Sequence, residues 1–175
     1  MVNAVAAMPK MKVLFSPQGG ISKEVSRLIQ AARVEIAVAA YAFSSKYMGN
    51  ALVTAKNRGI KNRLILDKDN AEKDYTIDEW LIQQGIDTRF IQVKNGCMHH
   101  KFMIIDGKIL ITGSYNFTND SEFRNYEAAI FTKDKTLLQS FAAEFERLWQ
   151  LALAPSLPAS PSAKRPSPPP LGERG

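Results

Sequence analysis

At 175 residues, 45% of them hydrophobic and 23% charged, the chain is long enough to enclose one core and too short for two ordinary domains. No apolar run approaches the roughly 18 to 20 residues of a membrane span, and the start lacks the charged end and apolar stretch of a secretory signal, so a soluble cytoplasmic domain is expected. The small-x-small "AVA" at 4–6 makes a periplasmic or secreted protein the expectation if the true start lies upstream. A formal charge of +6 is compatible with a polyanionic partner without requiring one, and the single cysteine, Cys97, read as a small buried thiol, excludes an internal disulfide.

In chain order, residues 1–10 are expected to be flexible and 11–153 to form the domain. Residues 12–15 form a short apolar strand, ended by the turn signal "SPQGG". Val25, Leu28, Ile29 and Ala32 then recur on one helical face. "VEIAVAAYAF" (34–43) is too continuously apolar for a half-exposed strand and is expected to be buried on both faces. A helix over 48–57 stops at Gly59, and "NRLILD" is a second buried strand. Thr76-x-x-Glu79 has the form of a capping box opening a two-turn helix that ends at Gly85, with the strand "TRFIQV" after it. A strand over 126–132 precedes a long helix in which Leu138, Phe141, Phe145, Leu148 and Trp149 keep a 3.6 period. Residues 154–175 hold seven of the nine prolines and are expected to be a disordered Pro/Ser-rich tail. The alternation predicts an α/β fold: one domain, with a mixed sheet sandwiched between helices.

Both histidines of the chain lie in "MHHKFMIIDGKILITGSYN" (98–116). Asp106-Gly107 between apolar runs signals a hairpin with a two-residue turn. That turn would place Lys101 opposite Thr112 and His99 opposite Ser114. One strand face would then hold an imidazole, an ammonium, a hydroxyl and, at Asn116, an amide, with Met103 and Leu110 continuing it as apolar residues. Alternation sends His100 to the other face, among Phe102, Ile104, Ile109 and Ile111, so the two histidines do not share a site. Asp106 is expected to act structurally, from the turn or from behind the site. Phe43, Tyr115 and Phe117 are read as core rather than as base-stacking rings.

The spacing His99-x-Lys101, four residues, Asp106, six residues, Gly113-Ser114-x-Asn116 resembles the H-x-K-x4-D-x6-G-S-x-N signature of the phospholipase D superfamily. The flanks "VLFSPQGG", "IAVAAYAFSS", "LILDKDN" and "RNYEAAIF" are similar to blocks of its small bacterial single-motif endonucleases. The resemblance implies a phospholipase D-like α-β-α fold and a metal-independent phosphodiesterase. By motif position His99 is the nucleophile that forms a phosphohistidine, Lys101, Ser114 and Asn116 hold the phosphate oxygens, and Glu127, eleven residues after Asn116, orients the histidine. Gly113 belongs to the same motif, beside Asp106. Chemistry agrees: charge that grows on phosphoryl oxygens is stabilised by fixed donors aimed there. No cofactor and no metal are expected. The one close acidic pair, Asp67 and Asp69, stands at a strand end, where acidic turn residues are common.

An imidazole bonded to phosphorus cannot at that instant protonate the departing oxygen, so a second one is needed. With His100 turned away, that second group is expected to be His99 of another subunit, in an obligate homodimer with a composite site. Nucleic acid is the favoured substrate, with "KNRGIKNR" (Lys56, Arg58, Lys61, Arg63) as candidate phosphate contacts. Hydrolysis of phospholipid headgroups is the alternative, although no stable membrane association is expected. A binding module without activity is a third reading, disfavoured because no motif position is lost.

Overall fold

The computed structural model describes residues 9–155; the expectations for residues 1–8 and for the tail beyond 155 lie outside them. Seven strands form one mixed sheet in the order β1-β7-β6-β5-β2-β3-β4. They are β1 (Met11–Phe15), β2 (Glu35–Ala40), β3 (Lys61–Asp67), β4 (Asp87–Ile91), β5 (Lys101–Ile105), β6 (Ile109–Gly113) and β7 (Ala128–Thr132). The β2, β3 and β4 strands run parallel, and every other neighbouring pair is antiparallel.

Helices α1 (Ile21–Ala31) and α2 (Lys46–Asn57) cover one face, and α6 (Lys135–Leu151) lies on the other. The short helices α3 (Lys68–Ala71), α4 (Asp78–Gln83) and α5 (Asn119–Phe123) complete the chain. Strand β2 explains the layering: Ile36, Val38 and Ala40 enter the core under α1 and α2, while Ala37 and Ala39 enter the core under α6. A strand buried on both faces has no polar alternation, which is why 34–43 is apolar throughout. The apolar stripe of α6 packs as its period predicts, with Leu138, Phe145, Leu148 and Trp149 buried.

Several expectations change. Thr76 does not cap α4; its hydroxyl lies within hydrogen-bond reach of Asp78 and of the carbonyl oxygens of Ala71 and Lys73, and Ile77 stands at the N-cap. Cys97 is exposed, not buried. The hairpin turn has positive φ at Asp106 (55°) and Gly107 (61°), as the dipeptide demands, but pairing resumes at Ile105 with Ile109, leaving Lys108 as an extra residue. One residue of slip exchanges the faces of β6 relative to β5. Phe102, not Lys101, therefore stands opposite Thr112. Met103 lies in the core under α1 and α2 and Leu110 in the core under α6, so they do not continue one row.

The hairpin is tied to the centre of the sheet by Asp106. Its carboxylate accepts from the backbone N–H groups of Arg33, Val34 and Glu35, with the Val34 bond at 2.7 Å. A second anchor, Arg63, is a correction to the candidate phosphate contacts. It is 8% exposed, donates to Glu35 and to both oxygens of Glu146, and lies 4.8 Å from the Phe145 ring centroid. Arg58 is likewise committed, donating to the carbonyl oxygens of Ile29, Gln30 and Ala32 at the end of α1. Lys61 pairs with Glu35 at 3.5 Å, and Lys56 Nζ lies against the turn at Gly85.

Removing Arg63 leaves Glu35 and Glu146 without their shared cation and hollows the packing on Phe145. Arg63→Ala is expected to lower unfolding stability by about 2 kcal/mol, below the scale for breaking a buried ion pair because the Glu146 side chain is half exposed. Arg63 holds the Glu146 carboxyl below its ordinary value of 4.5, so the pair's contribution is complete above that pH and is lost as pH falls through the lowered value. Denaturant melts at neutral and acid pH check both; an unchanged midpoint at neutral pH would return Arg63 to a surface role.

Candidate active site

The chain enters β5 through a fixed point. Met98 is buried, and its N–H donates to Asp67 Oδ2 at 2.8 Å, while Asp67 Oδ1 caps α3 by accepting from Asn70 N–H. The next residue, His99, is exposed, and its ring packs on Tyr41 with centroids 4.6 Å apart. Lys101 Nζ lies 5.0 Å from the centroid of the same tyrosine and donates to the His99 carbonyl oxygen at 2.8 Å. Imidazole and ammonium therefore both contact one aromatic ring, at the end of the sheet where Lys101 pairs with Ala40. Burial pushes the Lys101 ammonium below the usual lysine range, and Cys97 and Glu127 act against that shift.

Strand β6 ends beside β7 at the same place. A Cβ on Gly113 would come within 2.0 Å of the Ala128 carbonyl oxygen, so only glycine permits this approach. Ser114 N–H donates to that carbonyl, and Ser114 Oγ accepts from Ala128 N–H at 3.1 Å. The hydroxyl is thus held by its acceptor side and keeps its proton for another partner. Phe117 N–H bonds the Ala42 carbonyl, and Ser44 and Ser45 N–H bond the Phe117 carbonyl, which draws Asn116 next to the segment that carries Tyr41. Asn116 Oδ1 is buried without a partner among the described residues.

Behind these groups Tyr115 donates to Glu122 Oε2 at 2.9 Å, and the same oxygen accepts from Ser22 N–H at the start of α1. Burial, with the Glu122 carboxylate beside it, pushes the Tyr115 hydroxyl well above the usual phenol range, so it serves as a fixed donor. Phe43 and Phe117 are fully buried core, as expected. Glu127 is half-buried, accepts from Asn125 Nδ2 at 3.3 Å, and acts on Lys101 through space; among the described residues it makes no hydrogen bond to His99.

His100 turns away from His99, as alternation requires, but to a more open place than expected. It is exposed, with Nε2 3.2 Å from Glu144 of α6 and its ring on Phe102, and Ile109 and Ile111 lie in the opposite core. The segment 56–63 sits at the far end of the sheet, since Lys61 opens β3 beside Glu35 while the site is at the Ala40 end of β2. Among the cations that the fold brings to the site's end are Lys46, opening α2, and Lys94, in the β4–β5 connection, both exposed. Sequence reasoning missed these, and it missed Tyr41 and the Asp67 anchor. Tyr41, in "AAYAF", is the one phenol in an apolar run, and that polar tip was a usable signal. Among the described residues no group of three or more His, Cys, Asp or Glu side chains is placed to hold a metal.

A family model described as "Cardiolipin synthase, PLD-like domain" matches residues 25–149. Among curated proteins, a phospholipase D of Rickettsia prowazekii is 37% identical over 131 residues, 73% of this chain and 62% of the relative. The human mitochondrial cardiolipin hydrolase is 36% identical over 124 residues, 71% of this chain and 49% of that protein. The chain thus spans about half to two thirds of the length of these relatives. Among solved structures, the phospholipase D family member Nuc from Salmonella typhimurium superposes with a TM-score of 0.77 at 28% identity, covering 84% of this chain and 98% of Nuc. NucT from Helicobacter pylori, at a TM-score of 0.72 and 21% identity, shares the fold. With His99 and Lys101 meeting at the sheet end inside the matched region, the chain belongs to the phospholipase D superfamily.

Proposed function

We propose that the protein is a metal-independent phosphodiesterase that cleaves nucleic acid, DNA in the first place, through a composite site in a homodimer. The observation that carries this reading is that His99 and Lys101 both contact the ring of Tyr41 at one end of the sheet. A ring nitrogen of His99 attacks phosphorus while the bond to the leaving oxygen breaks, and that oxygen takes a proton from the second imidazole. Water, giving its proton back to the same imidazole, then displaces His99 from phosphorus. Lys101 neutralises the phosphoryl oxygens, and the Ser114 hydroxyl and Asn116 amide contribute neutral donors. Glu127 sustains the charge of Lys101 and, in this reading, also favours the imidazolium of His99.

The second imidazole is supplied by His99 of a partner subunit, because His100 is engaged with Glu144 on the α6 side. The choice of nucleic acid rests on the sequence blocks shared with the small bacterial nucleases, on the near-complete coverage of Nuc, and on exposed Lys46 and Lys94 at the site's end. The relatives named phospholipase D and cardiolipin hydrolase favour a second reading, hydrolysis of a phospholipid headgroup by the same chemistry. Among the described residues no helix is long and apolar enough to cross a membrane.

Incubation in EDTA with plasmid, single-stranded DNA, RNA and phosphatidylcholine or cardiolipin vesicles separates the readings. Cleavage of nucleic acid in chelator is expected; headgroup release alone would install the lipid reading, and strict dependence on added Mg²⁺ would contradict the mechanism. Mixing wild-type with His99→Ala subunits should give heterodimers with almost no turnover, whereas heterodimers at half activity would rule out a composite site. Glu127→Gln is expected to lower the rate by about 100-fold or more. Because Glu127 favours the charged form of Lys101, the variant's residual activity should also lose its alkaline limb at lower pH than wild type. An unmoved limb would show that Glu127 does not act on Lys101.

A further inference from the structure

Helix α6 covers only part of its face of the sheet. Its buried residues lie on Ala37 and Ala39 of β2, Ile65 of β3, Phe102 and Ile104 of β5 and Leu110 of β6. It is tied towards β3 and β4 by Glu146 to Arg63 and by Arg89 to the Trp149 carbonyl. Register shows what is left over. Val13 pairs with Ile130, and Ile130 with Thr112, while Phe15 pairs with Ala128; Met11 and Thr132 extend the same side. Lys12 and Leu14 point the other way, to Glu24 of α1 and to the core under α1 and α2. The β1 side chains on the α6 side are therefore apolar and open to solvent, with Met11 at 54%, Val13 at 42% and Phe15 at 65% exposure. Tyr126, two residues before Ala128 and next to the Glu127 carbonyl that bonds Ser16 N–H at the end of β1, is 90% exposed.

We propose that this uncovered part of the sheet, Met11, Val13 and Phe15 with Ile130 and Tyr126, is the surface on which a second copy of the chain seats. The inference rests on the composite-site reading above and gives it a location. Apolar side chains repeated along one face of an edge strand, with no charge among them, are what natural edges avoid unless something covers them. An aromatic side chain carries roughly 150 to 250 Å², so Phe15 and Tyr126 alone offer on the order of 300 Å² towards the roughly 800 Å² that each partner commonly buries. The surface is also continuous with the site. Tyr126 is next to Glu127, and Ala128, in the Phe15 row, holds Ser114 by two backbone bonds. A chain seated there reaches the rim where a second imidazole is required. A two-fold axis through one neutral face lets each copy offer the same patch while like charges, in a chain of net charge +6, stay apart. A bilayer is the competing occupant, but an interfacial surface places cations among its apolar side chains, and this row has none.

The experiment is sedimentation equilibrium of the full chain beside Tyr126→Arg and Val13→Lys. At 90% exposure Tyr126 supports little of the subunit's own fold, and thermal melts of both variants check that they remain folded. A wild-type dimer whose dissociation constant rises by about 30-fold or more in both variants is expected, the scale for losing an interface anchor. Variants that dimerise as wild type would overturn this surface while leaving the composite site standing, to be judged by the mixed His99→Ala subunits. A wild-type monomer overturns the inference, and one that also sediments with cardiolipin vesicles gives the surface to lipid.

Discussion

The carboxylate of Asp106 is the contact on which the geometry of the site depends. By accepting from three successive N–H groups at residues 33–35, it fastens the tip of the β5–β6 hairpin to the start of the central strand. That fixes the pairing of β2 with β5, and five residues along, Lys101 falls opposite Ala40. Tyr41 then stands where both Lys101 and His99 reach its ring. Charge-assisted bonds to three backbone donors are strong, and a slip here would carry every β5 side chain to the wrong face. An aspartate at the far end of the hairpin thus sets the placement of side chains at the near end without touching them. Asp67 does the complementary work at the near end by gripping Met98 N–H.

The two faces of the sheet are used differently. Under α1 and α2 the core is closed, and the Glu122 carboxylate between Tyr115 and the start of α1 stiffens the segment that leads to Asn116. Under α6 the core is closed from β3 across to β6, with Arg63 clamping the helix to the sheet, and stays open towards β1. The open remainder adjoins the end of the sheet that carries His99 and Lys101. The proposed second copy of the chain would cover that apolar area and supply the second imidazole at once.

Much of this was legible in the sequence because period and spacing are local. The apolar run of β2, the stripe on α6, the hairpin turn and the opposed directions of His99 and His100 follow from alternation alone. What escaped depends on contacts distant in sequence. The turn residues were right and the register was not, since Lys108 bulges out while Asp106 is held by residues 33–35. The cationic run 56–63 has the composition of a phosphate contact, yet Arg63 and Arg58 are consumed by Glu146 and by the end of α1. Charge in a sequence does not say which charges the fold keeps for itself. Tyr41 and Asp67 were in view as residue types, and only the folded chain shows that His99 and Lys101 share the ring of one while the other grips the backbone beside them.

The central claim is that His99 bonds to phosphorus. Rapid quenching of wild-type enzyme with end-labelled substrate in EDTA, kept alkaline because a phosphoramidate is acid-labile, followed by peptide mass spectrometry, addresses it directly. The account predicts a covalent substrate phosphate on His99, absent from His99→Ala. An adduct on another residue, or cleavage with no adduct and inversion at phosphorus, would contradict it.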